Sequence, residues 1–346
     1  MKYSSSYWKD IEKVITANPK VSQIKQSSIL ITGATGMVCS AIVDMLLYLN
    51  KYCDFNIKLL LAGRSKKRME KRFKGFLCGT DYEFVQFDTT KDTELTVSPD
   101  YIVHGASNAN PKLYGNEPVE TAIGNIIGTN SLLALAVKKN VKNFLFVSSS
   151  EIYGNKDENT PFAETDYGFI DVLNSRASYP NAKRLAETLC VSYDHEYNTH
   201  SVIVRLGHIY GPTITDSDTR ASAEFTRSAL SGNDIVMKSA GNQLRSYCYV
   251  LDCASAILYC LLFGESDEAY NISNDKSIVS IRDMAESIAK NGKVQIKYVH
   301  PSDKERKSYN LMSNSSLTSK KLEDLGWKAC FSLDDGVKAT LNLLKE

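Results

Sequence analysis

The 346-residue sequence lacks a charge imbalance: 41 Lys and Arg stand against 40 Asp and Glu, leaving a net charge of +1. No surplus of one sign is available to hold a nucleic acid or an acidic membrane surface, so neither is expected as a partner. Long apolar runs are missing as well. None would cross a bilayer, and the stretch carrying Lys2, Lys9, Asp10, Glu12 and Lys13 has no uninterrupted apolar core of the signal-peptide kind. The eight cysteines (39, 53, 78, 190, 248, 253, 260 and 330) include no C-x-x-C pair, which excludes zinc-ligand spacing. The chain is also too long for a small disulfide scaffold, so they read as buried or half-buried thiols in a reducing cytoplasm. There is no internal repeat and no low-complexity segment. What remains is an ordinary globular composition, 43% hydrophobic and 23% charged, long enough for one large domain or two unequal ones.

Against these absences stands Ile29-Leu30-Ile31-Thr32-Gly33-Ala34-Thr35-Gly36-Met37-Val38-Cys39-Ser40. An apolar run ends in a glycine turn, and apolar periodicity follows at Ala41, Ile42, Met45 and Leu46, which reads as strand, phosphate loop and helix. Gly33 permits the tight turn, and Gly36 lets the backbone approach a pyrophosphate seated on the helix N-terminus, beside Thr35, Met37 and Val38. The spacing G-x-x-G-x-x-C departs from G-x-G-x-x-G, with Cys39 at the third glycine. Further strands are expected at Ile57–Ala62, Tyr82–Phe87, Tyr101–Val103, Asn143–Val147 and Ser201–Leu206, alternating with helical patterns that include 118–139 and 176–197. The alternation predicts an α/β fold with a doubly wound, Rossmann-like parallel sheet, whose ligands bind beyond the strand C-termini. Before it, Tyr7, Ile11, Val14 and Ile15 fall at helical spacing and predict a helical extension over 1–26.

The strand ends carry the candidate cofactor contacts. The second strand ends at Gly63-Arg64, without the acid that takes ribose hydroxyls in many dinucleotide folds. A guanidinium there suits a 2′-phosphate or stacks on adenine, so NAD is expected and NADP stays open. Asp88, followed by Thr89, is placed to accept from an adenine amino group. Gly105, Ala106 and Ser107 are small enough for backbone to lie against a cofactor. The chemistry is expected of Tyr179 and Lys183, an i, i+4 pair on one helix face. A phenol near a cation and an oxidised nicotinamide becomes a usable base for a sugar hydroxyl. Ser149, at the end of the fifth strand, can bond the same oxygen, and Glu151 can serve as acid or base.

Together these features resemble the extended short-chain dehydrogenase/reductases that modify nucleotide sugars. The likeness rests on Gly33-x-x-Gly36, Asn125-x-x-Gly128-Thr129, Ser149, Tyr179-x-x-x-Lys183, Arg205-Leu206-Gly207-His208-Ile209-Tyr210-Gly211-Pro212 and Leu325-Gly326-Trp327, from about residue 27 to the C-terminus. It implies a dinucleotide domain over 27–206 with a returning segment near 245–265, and a smaller α+β domain, mainly 207–346, for a nucleotide-diphosphate sugar. In the latter, Ile235–Val236 and Tyr247–Val250 are expected as strands, and 252–263, 279–290, Ser319–Trp327 and Leu333–Leu344 as helices. The resemblance also implies a tightly held nicotinamide cofactor contacted by Asn125, oxidation of the sugar at C4, and a homodimer through the helices 118–139 and 176–197. Tyr179 would be the base, Ser149 its hydroxyl partner, and Lys183 the ribose anchor that lowers the phenol pKa.

Among the branches, UDP-glucuronate decarboxylases look most similar. The shared residues are His104, Ala106, Ser107, Ala109, Pro111 and Tyr114; then Ser150, Glu151, Tyr153 and Gly154; then Arg176-Ala177 before Tyr179; and Gln243 with Arg245. That branch implies substrate contacts from Ser150, Tyr114, His208 and Arg245, and loss of CO2 from a β-keto acid. Dehydratases acting on dTDP-glucose carry Thr-Asp-Glu where this chain has Ser149-Ser150-Glu151, GDP-mannose dehydratases carry Thr-Ser-Glu, and 4-epimerases usually lack the Glu. Epimerisation and 4,6-dehydration remain alternatives, followed by an NADPH-dependent ketoreductase and a non-catalytic dinucleotide sensor. His208 stands where many members have Asn and reads as a neutral hydrogen-bonding substitute.

Overall fold

The computed structural model describes residues 3–76, 81–156, 158–299 and 312–346, so Cys78 lies outside the described residues. Strands β1 (Ser28–Thr32), β2 (Lys58–Gly63), β3 (Tyr82–Gln86), β4 (Tyr101–His104), β5 (Asn143–Ser149) and β6 (Ser201–Leu206) form one parallel sheet. A seventh strand, Ala269–Ile272, joins it late, giving the order β3-β2-β1-β4-β5-β6 and then Ala269–Ile272 at the edge beside β6. Alternate residues of each strand serve opposite faces. Ile29 and Ile31 point into one core, and Leu30 into the other. Both faces are covered, so both sets are apolar and the strands read as continuous hydrophobic runs. The first face is closed by α1 (Ser5–Ala17), α2 (Met37–Cys53) and Val250–Phe263; the second by Pro118–Lys139 and Ser178–Tyr197.

The N-terminal helix forms as its spacing predicts, burying Tyr7, Ile11 and Val14. Two boundaries move in the second half. The expected strand at Tyr247–Val250 runs instead over Leu244–Tyr249, and the following helix begins at Val250. The expected helix at 279–290 begins at Ile281, because Ser280 caps it in a reciprocal box with Asp283 while Ile278–Ser280 pairs as a strand with Leu244–Tyr249. Cys53 corrects the reading of the thiols as buried or half-buried: it is the last residue of α2 and is exposed, whereas Cys39, Cys190, Cys248, Cys253 and Cys260 are buried and Cys330 is half-buried.

What positions the cleft is the packing of the β1–α2 loop on the end of β4. Gly33 has φ +69°, and a Cβ there would sit 2.9 Å from the backbone of Ala106. The Thr32 hydroxyl accepts from the Ala106 N–H at 3.1 Å and meets His104 Nδ1 at 2.8 Å, tying the two strand ends together. Cys39, where a third glycine would stand, occupies volume left open by a different glycine. A Cβ on Gly105 would lie 2.2 Å from the Cys39 Sγ. The bulk gained at 39 is thus offset at 105.

Gly105→Ala is expected to lower stability by about 1–3 kcal/mol through overpacking. Adding Cys39→Ala should recover most of the loss, which denaturant unfolding of the two variants will measure.

Candidate active site

A cleft of about 1450 Å³ opens at the C-terminal ends of the parallel strands. Its floor is the N-terminus of α2. The cap residue Gly36 offers no side chain to the first-turn N–H groups, and no acid stands in that turn. Unmet donors at the positive end of a helix dipole fit a pyrophosphate. Gly33, Thr35, Gly36, Met37 and Val38 all line the cleft there, and Gly105, Ala106 and Ser107 face them from the end of β4. The Ser107 hydroxyl donates to Asn125 Oδ1 at 2.9 Å, fixing a second cleft residue. Arg64 and Thr89 also line it, with Arg64 at an exposed rim 3.7 Å from Glu120. Asp88 itself is not among the cleft-lining residues, although Phe87, Thr89 and Thr90 are. Its Oδ1 accepts from the Thr90 N–H at 3.1 Å and the Thr90 hydroxyl at 2.9 Å in a local turn.

Tyr179 and Lys183 enter from the first turns of the helix Ser178–Tyr197, and Ser149 from the end of β5. All three line the cleft. Burial pushes the Tyr179 phenol above its usual range, and the charge of Glu151 adds to this; the hydrogen bond from Ser149 and the charge of Arg220 act the other way. The lowering influences therefore come from residues other than the expected Lys183. That ammonium instead donates to the Val147 carbonyl at 2.7 Å and lies 4.4 Å from the centre of the Phe146 ring. Burial brings its pKa down to about 7, against the pull of Glu187.

Glu151 and Ser150 follow Ser149 on a short 3₁₀ turn, Ser150–Tyr153, and the Ser149 hydroxyl accepts from the Glu151 N–H at 3.2 Å. Tyr114 was expected to touch substrate. It is fully buried and absent from the cleft lining, because its ring stacks on Tyr179 at 4.9 Å and its hydroxyl donates to Glu151 Oε1 at 2.9 Å. Arg176, which the sequence offered only as part of a motif, donates to the Tyr114 hydroxyl at 3.2 Å and stands 3.6 Å from Glu151.

Across the cleft, Arg245 is 4% exposed and donates to the carbonyls of Leu244 (2.7 Å) and Met312 (3.2 Å), with no carboxylate partner among the described residues. His208 lies edge-on to Tyr247 at 5.7 Å, and burial, then Arg245 and Arg220, hold it well below its usual pKa, so it is neutral. Arg220 was missed altogether. Asp218 orients it through two Nε contacts at 3.0 and 3.2 Å, and its Nη2 stands 2.9 Å from the Met37 Sδ at the phosphate loop. The signal was an Asp-x-Arg just before a helix, in a stretch that reads only as polar loop.

The sequence matches the model of the NAD dependent epimerase/dehydratase family over residues 29–273. UDP-glucuronic acid decarboxylase 6 of Arabidopsis thaliana is 30% identical over 313 residues, spanning 89% of this chain and 86% of the plant protein. Among solved structures, UDP-glucose 4-epimerase of Thermotoga maritima with UDP-glucose superposes with a TM-score of 0.77 at 23% identity, covering 91% of this chain and 98% of that one. The dTDP-glucose 4,6-dehydratase of Bacillus anthracis in complex with NAD gives 0.73 at 21% identity, covering 92% and 96%. These two share the fold.

Lys183 yields a pH test. With a folded pKa of about 7 against an ordinary 10.5, the unfolded chain binds a proton that the folded chain does not across that window. The lysine's contribution to stability therefore rises with pH above 7 and is smallest below it. Relative to Lys183→Met, the wild type should gain up to about 1.4 kcal/mol per pH unit between pH 7 and 9, read by urea unfolding without ligand.

Proposed function

We propose that this chain, which belongs to the NAD dependent epimerase/dehydratase family, is an NAD-dependent decarboxylase of a nucleotide-linked uronic acid, UDP-glucuronate being the first substrate to test. The observation that carries the reading is Arg245: a buried guanidinium bonded to main-chain carbonyls, lining the same cleft as Tyr179. Such a group has donors and charge to spare for a carboxylate or a diphosphate. The cleft as a whole is lined by twice as many Lys and Arg as Asp and Glu side chains, which suits an anionic substrate. The relative named above as a UDP-glucuronic acid decarboxylase adds the reaction class.

Gly33, Gly36 and the first turn of α2 would hold the NAD pyrophosphate, and the cofactor would supply the acceptor and then the donor of the C4 hydride, so that net redox is zero. The Tyr179 side chain, in its phenolate form, takes the proton of the C4 hydroxyl, and the Ser149 hydroxyl bonds the same oxygen as the ketone forms. Lys183 anchors the ribose, and Ser107 and Asn125 lie beside it. The C4 ketone is β to the C6 carboxylate. The C5–C6 bond then breaks, its electron pair passes into the ketone as an enolate, and C6 leaves as CO2. C5 takes up a proton from water in place of the lost carboxylate, and Tyr179 returns its proton to the C4 oxygen. No general acid for expelling water stands at 150, where the hydroxyl of Ser150 cannot replace a carboxylic acid at neutral pH. In this reading residues 27–206 with Val250–Phe263 and Ala269–Ile272 hold the dinucleotide, and 207–346 mainly hold the nucleotide sugar. The exposed Val119 and Ile123 on one helix, with Leu185 and Val191 on its neighbour, support a homodimer through that pair. The unpaired thiols suit the reducing cytoplasm.

Purified protein incubated with UDP-glucuronate, and in parallel with UDP-, dTDP-, GDP- and CDP-hexoses, should release CO2 from the uronate alone when followed by mass spectrometry. Loss of water from a hexose, or an isobaric C4-inverted product, would replace decarboxylation with 4,6-dehydration or epimerisation. Tyr179→Phe should abolish turnover with the cofactor still bound. Ser149→Ala should cost about tenfold to a thousandfold in kcat. Arg245→Ala should raise KM for the nucleotide sugar far more than it weakens NAD binding; equal losses by calorimetry would point to a folding role.

A further inference from the structure

One buried charge has no part in the chemistry above. Asp44, in the middle of α2, is completely shielded from solvent. Arg72 Nη2 donates to its Oδ2 at 2.8 Å, the Tyr7 hydroxyl donates to the same oxygen at 2.9 Å, and the Tyr3 hydroxyl donates to Oδ1 at 2.8 Å. Arg72 Nη1 in turn donates to the Tyr3 hydroxyl at 2.7 Å. A ring cluster covers the group: Trp8 stacks on Tyr3 at 5.4 Å and meets Phe76 at 4.5 Å and Tyr48 of α2 at 6.0 Å. Three separate pieces of chain meet here. They are the N-terminal segment, α2, and the end of the helix Lys66–Arg72.

Two of those pieces are walls of the cofactor cleft. From α2, Met37, Val38 and Cys39 line it, roughly two helical turns before Asp44. From the helix Lys66–Arg72, Arg68 and Met69 line it, and Arg68 lies one turn before Arg72 on the same face. That short helix is basic, and Met69 is the one residue buried within its span. Met69 and Phe73, the residue that follows, seat it in the core, and the ion pair at its last residue links it to α2 itself. The position matters because β2 ends without an acid for the ribose hydroxyls. Contacts to the adenosine half then fall to this wall, which begins at Arg64 and Ser65, together with Phe87, Thr89 and Thr90, which also line the cleft.

We propose that Tyr3 and Tyr7 form a clasp with Asp44 and Arg72 that sets the spacing of the two cofactor walls, and so the affinity for the adenosine half of the dinucleotide. The hydroxyls hold the carboxylate and guanidinium in register, and the rings keep water from the pair. Removing the clasp frees the helix Lys66–Arg72 to drift from α2 while leaving Ser149, Tyr179 and Arg245 in place.

The test uses the full chain carrying Tyr3→Phe with Tyr7→Phe, which keeps the rings and removes the two hydroxyls, beside a chain lacking residues 1–8. Titration calorimetry with NAD, with ADP and with UDP reads the effect. NAD and ADP are expected to bind about tenfold more weakly to the double variant, with UDP affinity unchanged and a still larger loss in the truncated chain. NAD and ADP affinities within twofold of wild type in the double variant would overturn the clasp. So would an equal loss for UDP, which would mark a general loosening.

Discussion

The close approach of two backbones organises this molecule. The chain leaves β1 at Gly33 with φ +69° and passes directly over the backbone at Gly105 and Ala106. Any side chain at 33 would displace the end of β4, and with it the loop that carries Ser107 toward Asn125. The same turn points the first N–H groups of α2 into the cleft. Phosphate recognition and the alignment of the central strands therefore rest on one contact between main-chain atoms, secured by the Thr32 hydroxyl.

Around that contact the polar groups are sorted by what they face. Burial and Glu151 raise the pKa of the Tyr179 phenol while Ser149 and Arg220 lower it, and Tyr114 and Arg176 keep Glu151 in place from behind. The cations opposite it differ in how fully they are matched. Arg220 is spoken for by Asp218, whereas Arg245, among the described residues, is hydrogen-bonded to main-chain carbonyls and feels the charge of Glu151 without contact. The unmatched cation thus sits on the far wall from Ser149, where a ligand reaching across the cleft would complete it.

Much of this was legible in the chain itself. Apolar runs bounded by glycine and small residues located β1, β2 and β4 to β6, because strands buried on both faces leave few polar interruptions. Spacing placed Tyr179 and Lys183 on one helical face, and the strand-end rule brought Ser149 to them. The strand Ala269–Ile272 escaped, since four residues carry too little periodicity. The hydrogen bonds of Asp88 and Tyr114 escaped the sequence reading for a common reason. Position along the chain says where a side chain starts, while a neighbouring donor or acceptor decides where it ends: Thr90 for Asp88, Glu151 for Tyr114. Asp44 was invisible as a site because it interrupts a run, Cys39 to Leu47, whose other residues are nearly all apolar and buried.

The pair Cys39 and Gly105 also constrains substitution. With glycine at both positions the loop and strand end leave a small void, and either neighbour can be filled singly. Once the sulfur is in place, a methyl at 105 fits only if the thiol shifts. Bulk at 39 and bulk at 105 are thus alternatives for one space, and a chain carrying both starts from lower stability.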